Sequence, residues 1–242
     1  VVFMLLGGLP FILMVSTVRG NRYALLHDQQ VQGFVGMLLI ICISFAIWLT
    51  FNSGYVFLDA LRIVSLNVVS VVTTTGFALG DYTQWGEFAV LAFFYLTFIG
   101  GCSGSTSGGL KIFRFQVLYG AVITQIRLLH SPNGVFSPRY GGKTVDEDVI
   151  SSVMSFLFFF FVTFGVCAVT LSMMGIEPIT AISGAASAIA NIGPGLGPEI
   201  GPKGNFAGLP DIAKWVLAIT MLLGRLELLS VLVLLTPKFW RG

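Results

Sequence analysis

Two glycine-centred strips carry the chemistry open to this chain: VTTTGFALGD, residues 72–81, and IANIGPGLGP, residues 189–198. What they offer is main chain. A glycine lets the backbone turn, and the residues before and at it can direct carbonyl oxygens toward one axis, where they replace the water shell of a dehydrated cation. Aligned on each other, the strips superpose Gly76 on Gly193, Leu79 on Leu196 and Gly80 on Gly197, an offset of 117 residues. Glycines that merely permit turns are the simpler explanation. The repeat, and the short apolar stretch before each strip, favour the carbonyl reading.

The elements that must position such strips are membrane helices. The chain is 55% hydrophobic with mean hydropathy +0.91, and only 10% of it is charged, where a soluble domain carries about a quarter. Measured against a hydrocarbon core of about 30 Å crossed at about 1.5 Å per residue, the apolar segments fall into two kinds. Residues 1–18, 31–51, 86–130 (interrupted), 149–174 and 209–235 are long enough to span. Residues 56–72 and 178–190 are too short or too polar, the first carrying Asp59 and Arg62, which read as a packed pair. At the 117-residue offset the order span, short helix, glycine strip, span is written twice. Irregular backbone at membrane depth is tolerated only inside protein or along water, so each strip is expected to be a re-entrant loop. The short helices end at it, bringing about half a negative charge to face a cation. Each unit crosses an even number of times, so the two are related by an axis along the membrane normal. The fold class expected is therefore an all-α membrane protein of tandem helix, pore loop, helix units.

Basic residues set the orientation. Arg19 and Arg22, then Arg127, Arg139 and Lys143, then Lys238 and Arg241 place loop 127–148 and the C-terminus in the cytoplasm. The opposite loops hold Asp81, Glu87, Glu177, Glu199 and Asp211 against Lys203 and Lys214, an acidic outer face that draws cations by its field. Cys42, Cys102 and Cys167 lie in apolar segments, and no disulfide is expected. The first residue is Val, and 1–18 lacks the basic start and cleavage site of a signal peptide, so the chain is expected to begin mid-protein.

GGCSGSTSGG, residues 100–109, breaks the third span. Ten small or polar residues cannot be lipid-facing helix, since each glycine costs nearly 1 kcal/mol and each freed amide needs a partner. It fails as a phosphate cradle because Lys111 follows Gly109 by two and precedes Ile112. Gly101 to Gly104 match a serine-protease string around Ser103, but the histidines, His27 and His130, lie at cytoplasmic segment ends and supply no base. Close packing through Gly104 and Gly108 explains two of the ten residues. A mobile flap below the strips explains more. In the last span Arg225 and Glu227 point roughly 200° apart and need separate partners. Arg225 reads as a barrier on a cation path, with a structural salt bridge as the alternative. Lys111 and Arg114, just past the break, sit where the chain nears the cytoplasm.

These strips, the broken span and the arginine in LLGRLELL together resemble the Trk/Ktr/HKT superfamily of potassium transporters, most closely its bacterial TrkH-type subunit, over essentially the whole chain. The resemblance implies four span-loop-span units around a pseudo-fourfold pore, with TTTGFA as the third filter strip and NIGPGLG as the fourth. By carry-over, Thr74, Thr75, Gly76, Asn191, Ile192 and Gly193 would hold K⁺ as the transported ion, the metal-binding oxygens lying on Thr74, Thr75, Asn191 and Ile192 among them. The gate would be Gly100, Gly101, Gly104, Gly108 and Gly109 with Arg225. Residues 1–22 would close an incomplete upstream unit, 31–130 form one pore unit (short helix 56–72, filter 73–81, broken helix 86–130), 131–148 a loop, and 149–242 the last unit (short helix 178–190, filter 191–198, helix 209–236). A ring of four strips needs two more, from a missing N-terminal half of the same polypeptide or from a second copy. The family further implies a homodimer with one pore per protomer, a cytoplasmic nucleotide-binding regulatory subunit of the Trk-A/Ktr-A type, and a place in the bacterial inner membrane. Passive flux is expected, with coupling to H⁺ or Na⁺, through Glu227, as the alternative.

Overall fold

The computed structural model describes residues 1–21, 23–131, 134–226, 233, 239 and 240. Its helices are α1 (Val2–Gly8), α2 (Phe11–Val18), α3 (Gln29–Ser53), α4 (Phe57–Val72), α5 (Glu87–Phe98), α6 (Ile112–His130), α7 (Glu147–Met173), α8 (Pro178–Ala190) and α9 (Asp211–Arg225). A small antiparallel hairpin, β1 (Arg139–Tyr140) and β2 (Lys143–Thr144), stands between α6 and α7. Among the described residues α3, α6 and α7 are long and apolar enough to cross a membrane. All three cysteines are free and buried.

Local signals place the helix ends. The Asp28 carboxylate accepts from the Val31 amide at 3.0 Å to start α3, and Gly54, in the left-handed region, ends it. Pro178 occupies the first turn of α8, where its missing N–H costs nothing. Acidic Glu147 and Asp148 open α7 at its positive end.

The two units recur in the packing. Helix α3 lies on α4 and α5 through a core that includes Phe34, Leu49, Val64, Val68 and Phe93. Helix α7 lies on α8 and α9 through Leu171, Ala185, Ile200 and Leu217. A third cluster, with Phe98, Leu110, Phe160 and Ile189, joins them. In α8 nearly every residue from Thr180 onward is buried, which its small side chains permit.

Two expectations are corrected. Residues 1–18 are not one continuous span: Pro10 has no N–H to donate, and the helix stops at Gly8 and restarts at Phe11. Asp59 and Arg62 are both exposed, and no ion pair joins them among the described residues. The last span is described only as far as Leu226, so Glu227 and the remainder of 209–236 lie outside the described residues.

Candidate functional site

The strips leave α4 and α8 through the same backbone turn. Thr74, at φ 54°, and Asn191, at φ 58°, are the non-glycine residues with positive φ among those described, and they stand 117 positions apart. Gly76 at φ 81° and Gly193 at φ 118° repeat the correspondence two residues later. A left-handed residue straight after a helix reverses the direction of the peptides that follow.

This turn ties down the amides. Thr74 N donates to Val71 O at 3.1 Å and Thr75 N to Ser70 O at 2.9 Å, while Gly76 N reaches the same carbonyl at 3.5 Å. In the second strip Asn191 N donates to Ala188 O and Ile192 N to Ser187 O, both at 3.1 Å, and Gly193 N to the Ser187 hydroxyl at 3.1 Å. The carbonyls of Thr74, Thr75, Gly76, Asn191, Ile192 and Gly193 accept no hydrogen bond among the described residues. Satisfied donors beside six open acceptors make a surface suited to a cation and hostile to an anion.

The strips touch each other. A methyl placed on Gly76 would stand 2.3 Å from the Ile192 carbonyl oxygen, and one on Gly193 only 3.9 Å from the Gly76 Cα. Beyond the turn each strip is tied back to its own short helix. Asn67, wholly buried in α4, takes both ends of the Leu79 peptide, accepting from its N–H at 2.8 Å and donating to its carbonyl at 3.0 Å. The Leu196 amide donates to the Ser183 hydroxyl at 3.0 Å. Just after the first strip in sequence, Tyr82 stacks on Phe93 at 4.1 Å, and burial, then the Asp81 charge, push its phenol upward and keep it neutral.

Residues 99–111 pack against this pair. The segment folds back on itself, with Gly100 N donating to Leu110 O at 2.8 Å and Leu110 N to Phe98 O at 3.0 Å. It is held by elements far away in sequence. Gly108 N donates to the Thr74 hydroxyl at 2.9 Å, Cys102 N to Gly8 O at 2.9 Å, Thr106 N to Gly7 O at 3.2 Å, and Ser103 N to the Gln30 side chain. A Cβ on Gly108 would lie 2.4 Å from Ala190 O, so glycine is what admits this approach. Arg225 Nη1 donates to the Thr106 carbonyl at 2.7 Å. Arg225 also lines a cavity of about 150 Å³ with Ser105, Ser107 and Gly109. The structure thus brings together the strip, the glycine-rich break and Arg225. Arg225 meets a carbonyl and no carboxylate among the described residues, so the salt-bridge alternative finds no partner there.

Sequence reasoning passed over Gly7 and Gly8, whose carbonyls receive the loop, as well as Thr106, Asn67 and Ser187. The adjacent glycines two residues before Pro10 were the available signal for the first pair. Ser187 stands at the offset from Ser70 and could have been found by extending the repeat backward. The Ser103 hydroxyl has no histidine at hand among the described hydrogen bonds; His27 Nδ1 pairs with Tyr23 O instead.

Comparison with known proteins follows the same lines. The family described as TrkH, cation transport protein, matches residues 59–241. The Trk system potassium uptake protein TrkI of Halomonas elongata is 55% identical over 239 residues, covering 99% of this chain and 48% of the relative. TrkH of Escherichia coli is 32% identical over 247 residues, covering 99% and 50%. The crystal structure of the potassium transporter TrkH from Vibrio parahaemolyticus superposes with TM-score 0.91 at 30% identity, over 99% of this chain and 51% of that one. The chain spans about half the length of the relatives it matches. These are transport proteins by name, and the protease reading of residues 101–104 is set aside with them. The helical membrane fold, the paired strips and the match over 59–241 place the chain in the TrkH family of cation transport proteins.

Proposed function

We propose that this chain supplies half of a potassium pathway, in which Thr74, Thr75 and Gly76 with Asn191, Ile192 and Gly193 coordinate dehydrated K⁺ through their carbonyl oxygens. One observation carries the reading: amides paired and carbonyls unpaired in two strips related by 117 residues. Two turns built only for shape have no reason to pair their amides and leave the same six carbonyls open. The negative ends of α4 and α8 point into the same place and add to the field a cation meets. The names of the relatives, potassium uptake proteins, agree with the ion.

The gate in this reading is the 100–109 segment, closed in the present arrangement by its bonds to Thr74 and Arg225. Arg225 adds a positive charge on the inner side of the strips, an electrostatic barrier to K⁺. The remaining two strips come from the rest of a polypeptide like those of the relatives. The working assembly is a homodimer in the bacterial inner membrane, with loop 127–148 and the C-terminus facing the cytoplasm and meeting a nucleotide-binding regulatory subunit there.

The test is Gly193→Ser in the complete protein. A side chain at Gly193 meets nothing nearer than 3.9 Å, so the change strains φ without a collision, whereas at Gly76 it strikes the Ile192 oxygen. Competitive rubidium and sodium flux should show K⁺-type preference falling about tenfold, the loss of about 1.4 kcal/mol of differential coordination. Unchanged selectivity in a folded variant would remove the strip from the pathway.

A further inference from the structure

Helix α6 is long enough to cross a membrane, and its neighbours fix where it starts. Gln116 Nε2 donates to the carbonyl of Gln29, the first residue of α3, at 3.1 Å, and Gly33, one turn on, packs against the same side chain. Lys111 and Arg114 share a cavity with Asp148 and Ser152, at the start of α7. From that level α6 runs alongside the hairpin, where the Arg139 carbonyl lies against Gly120. Gly141 N in turn donates to the Gln29 side chain at 2.6 Å, and the Phe113 and Tyr140 rings meet edge to face at 5.0 Å. Helix α6 therefore begins at the level where α3 and α7 begin and continues beside the hairpin, with most of its surface left uncovered.

Its surface has two adjoining faces of different character. Phe115, Tyr119, Val122, Ile126 and Leu129 are all exposed, and their spacing of four, three, four and three residues makes one apolar stripe. Beside the stripe opens a cavity of about 580 Å³ between α6 and the hairpin. Its charged lining residues are Arg127 and Arg139, both exposed and neither in an ion pair among the described residues. No acid is among the lining residues, although the charge of Asp28, next to Gln29, reaches Tyr140 of the hairpin. Ser137 and Thr144 add hydroxyls, and Gln116 brings a side-chain oxygen that is buried with no partner among the described residues. An apolar stripe joined to a basic, hydroxyl-lined recess fits an amphiphile whose head is a phosphate ester bearing hydroxyl groups.

We propose that α6 lies in the headgroup layer of the cytoplasmic leaflet and that the cavity between α6 and the hairpin binds an anionic phospholipid of the phosphatidylglycerol type. Arg127 and Arg139 pair with the phosphate, and the acyl chains lie along the Tyr119 to Leu129 stripe. The proposal stands apart from the ion-coordinating strips and survives if they are misassigned.

The experiment uses the complete protein in a neutral detergent, with bound lipid counted by native mass spectrometry. Dioleoylphosphatidylglycerol should be retained over dioleoylphosphatidylcholine, and Arg127→Gln with Arg139→Gln should reduce that retention, by about fivefold per arginine. Arg127→Lys with Arg139→Lys should keep most of it, and Arg19→Gln, another exposed cytoplasmic charge, should leave it unchanged. In lipid vesicles, a spin label on Val122→Cys should be relaxed by oxygen dissolved in the lipid and shielded from a water-soluble nickel chelate. Equal retention of both lipids by the unaltered protein would overturn the proposal, as would displacement of phosphatidylglycerol by free glycerol phosphate at equal concentration. A Val122 label shielded from both relaxing agents would also overturn it, since a second copy or another protein would then cover the stripe.

Discussion

Ser70 and Ser187 occupy equivalent places behind the two strips and hold them differently. The Ser187 hydroxyl accepts from the Gly193 amide, while the Ser70 hydroxyl is buried with no partner among the described residues and only the Ser70 carbonyl serves the first strip. The same substitution should therefore have opposite outcomes. Ser187→Ala strands the Gly193 amide and should lower thermal stability by about 1 kcal/mol, with a loss of ion preference measured by competitive flux. Ser70→Ala removes an unsatisfied hydroxyl and should be neutral, or stabilising by up to about 1 kcal/mol, with preference intact. Equal effects of the two changes would mean that the serines do not orient the strips. Thr74 and Asn191 carry the left-handed turns; asparagine just after a helix is a local signal for that conformation, whereas nothing marks Thr74, because threonine rarely adopts it without tertiary contacts to enforce it.

At the scale of elements, the glycine-rich break behaves as a docked segment. Its bonds run to α1, to the first strip, to α3 and to Arg225 on α9. In the gate proposed above, releasing one anchor would shift the balance between docked and undocked forms. Arg225→Ala removes a charge-assisted hydrogen bond of about 1.5 to 3 kcal/mol together with the positive charge, and rubidium flux should rise severalfold. Loss of folding without any gain in flux would make Arg225 a structural tie and no barrier. Gly108→Val acts on the opposite end: its Cβ would meet Ala190 O, push the loop off the strip, and raise basal leak in the same assay. The bounds of α4 and α8 were readable in advance, since apolar length, Pro178 and the glycines after each helix are local signals. The path of α6 was not, because its apolar stripe is equally compatible with a span and with a helix lying at the surface.

For the whole molecule, two strips in contact leave one side of the site open. Thr75 and Gly193 are exposed there, and Gly193 opens onto a cavity lined by Lys214, Leu217 and Met221 of α9. If the other half of a longer polypeptide covers that side, the 242-residue chain expressed alone in cells lacking potassium uptake should restore no growth at low potassium, and co-expression with the preceding half should restore it. Growth supported by the chain alone would show instead that two copies complete a ring of four strips.

The order of helices, the two short helices, the glycine strips and their 117-residue repeat are all determined by the amino-acid sequence, because each rests on apolar length or backbone freedom within a few neighbouring residues. Folding alone decided that Thr106 would meet Arg225 across 119 positions, that the carbonyls of Gly7 and Gly8 would receive the loop, and that Gln29 would fasten both α6 and the hairpin. Such pairs leave no local trace: each partner is an ordinary residue in its own segment, and the bond exists only where packing brings two distant backbones within about 3 Å.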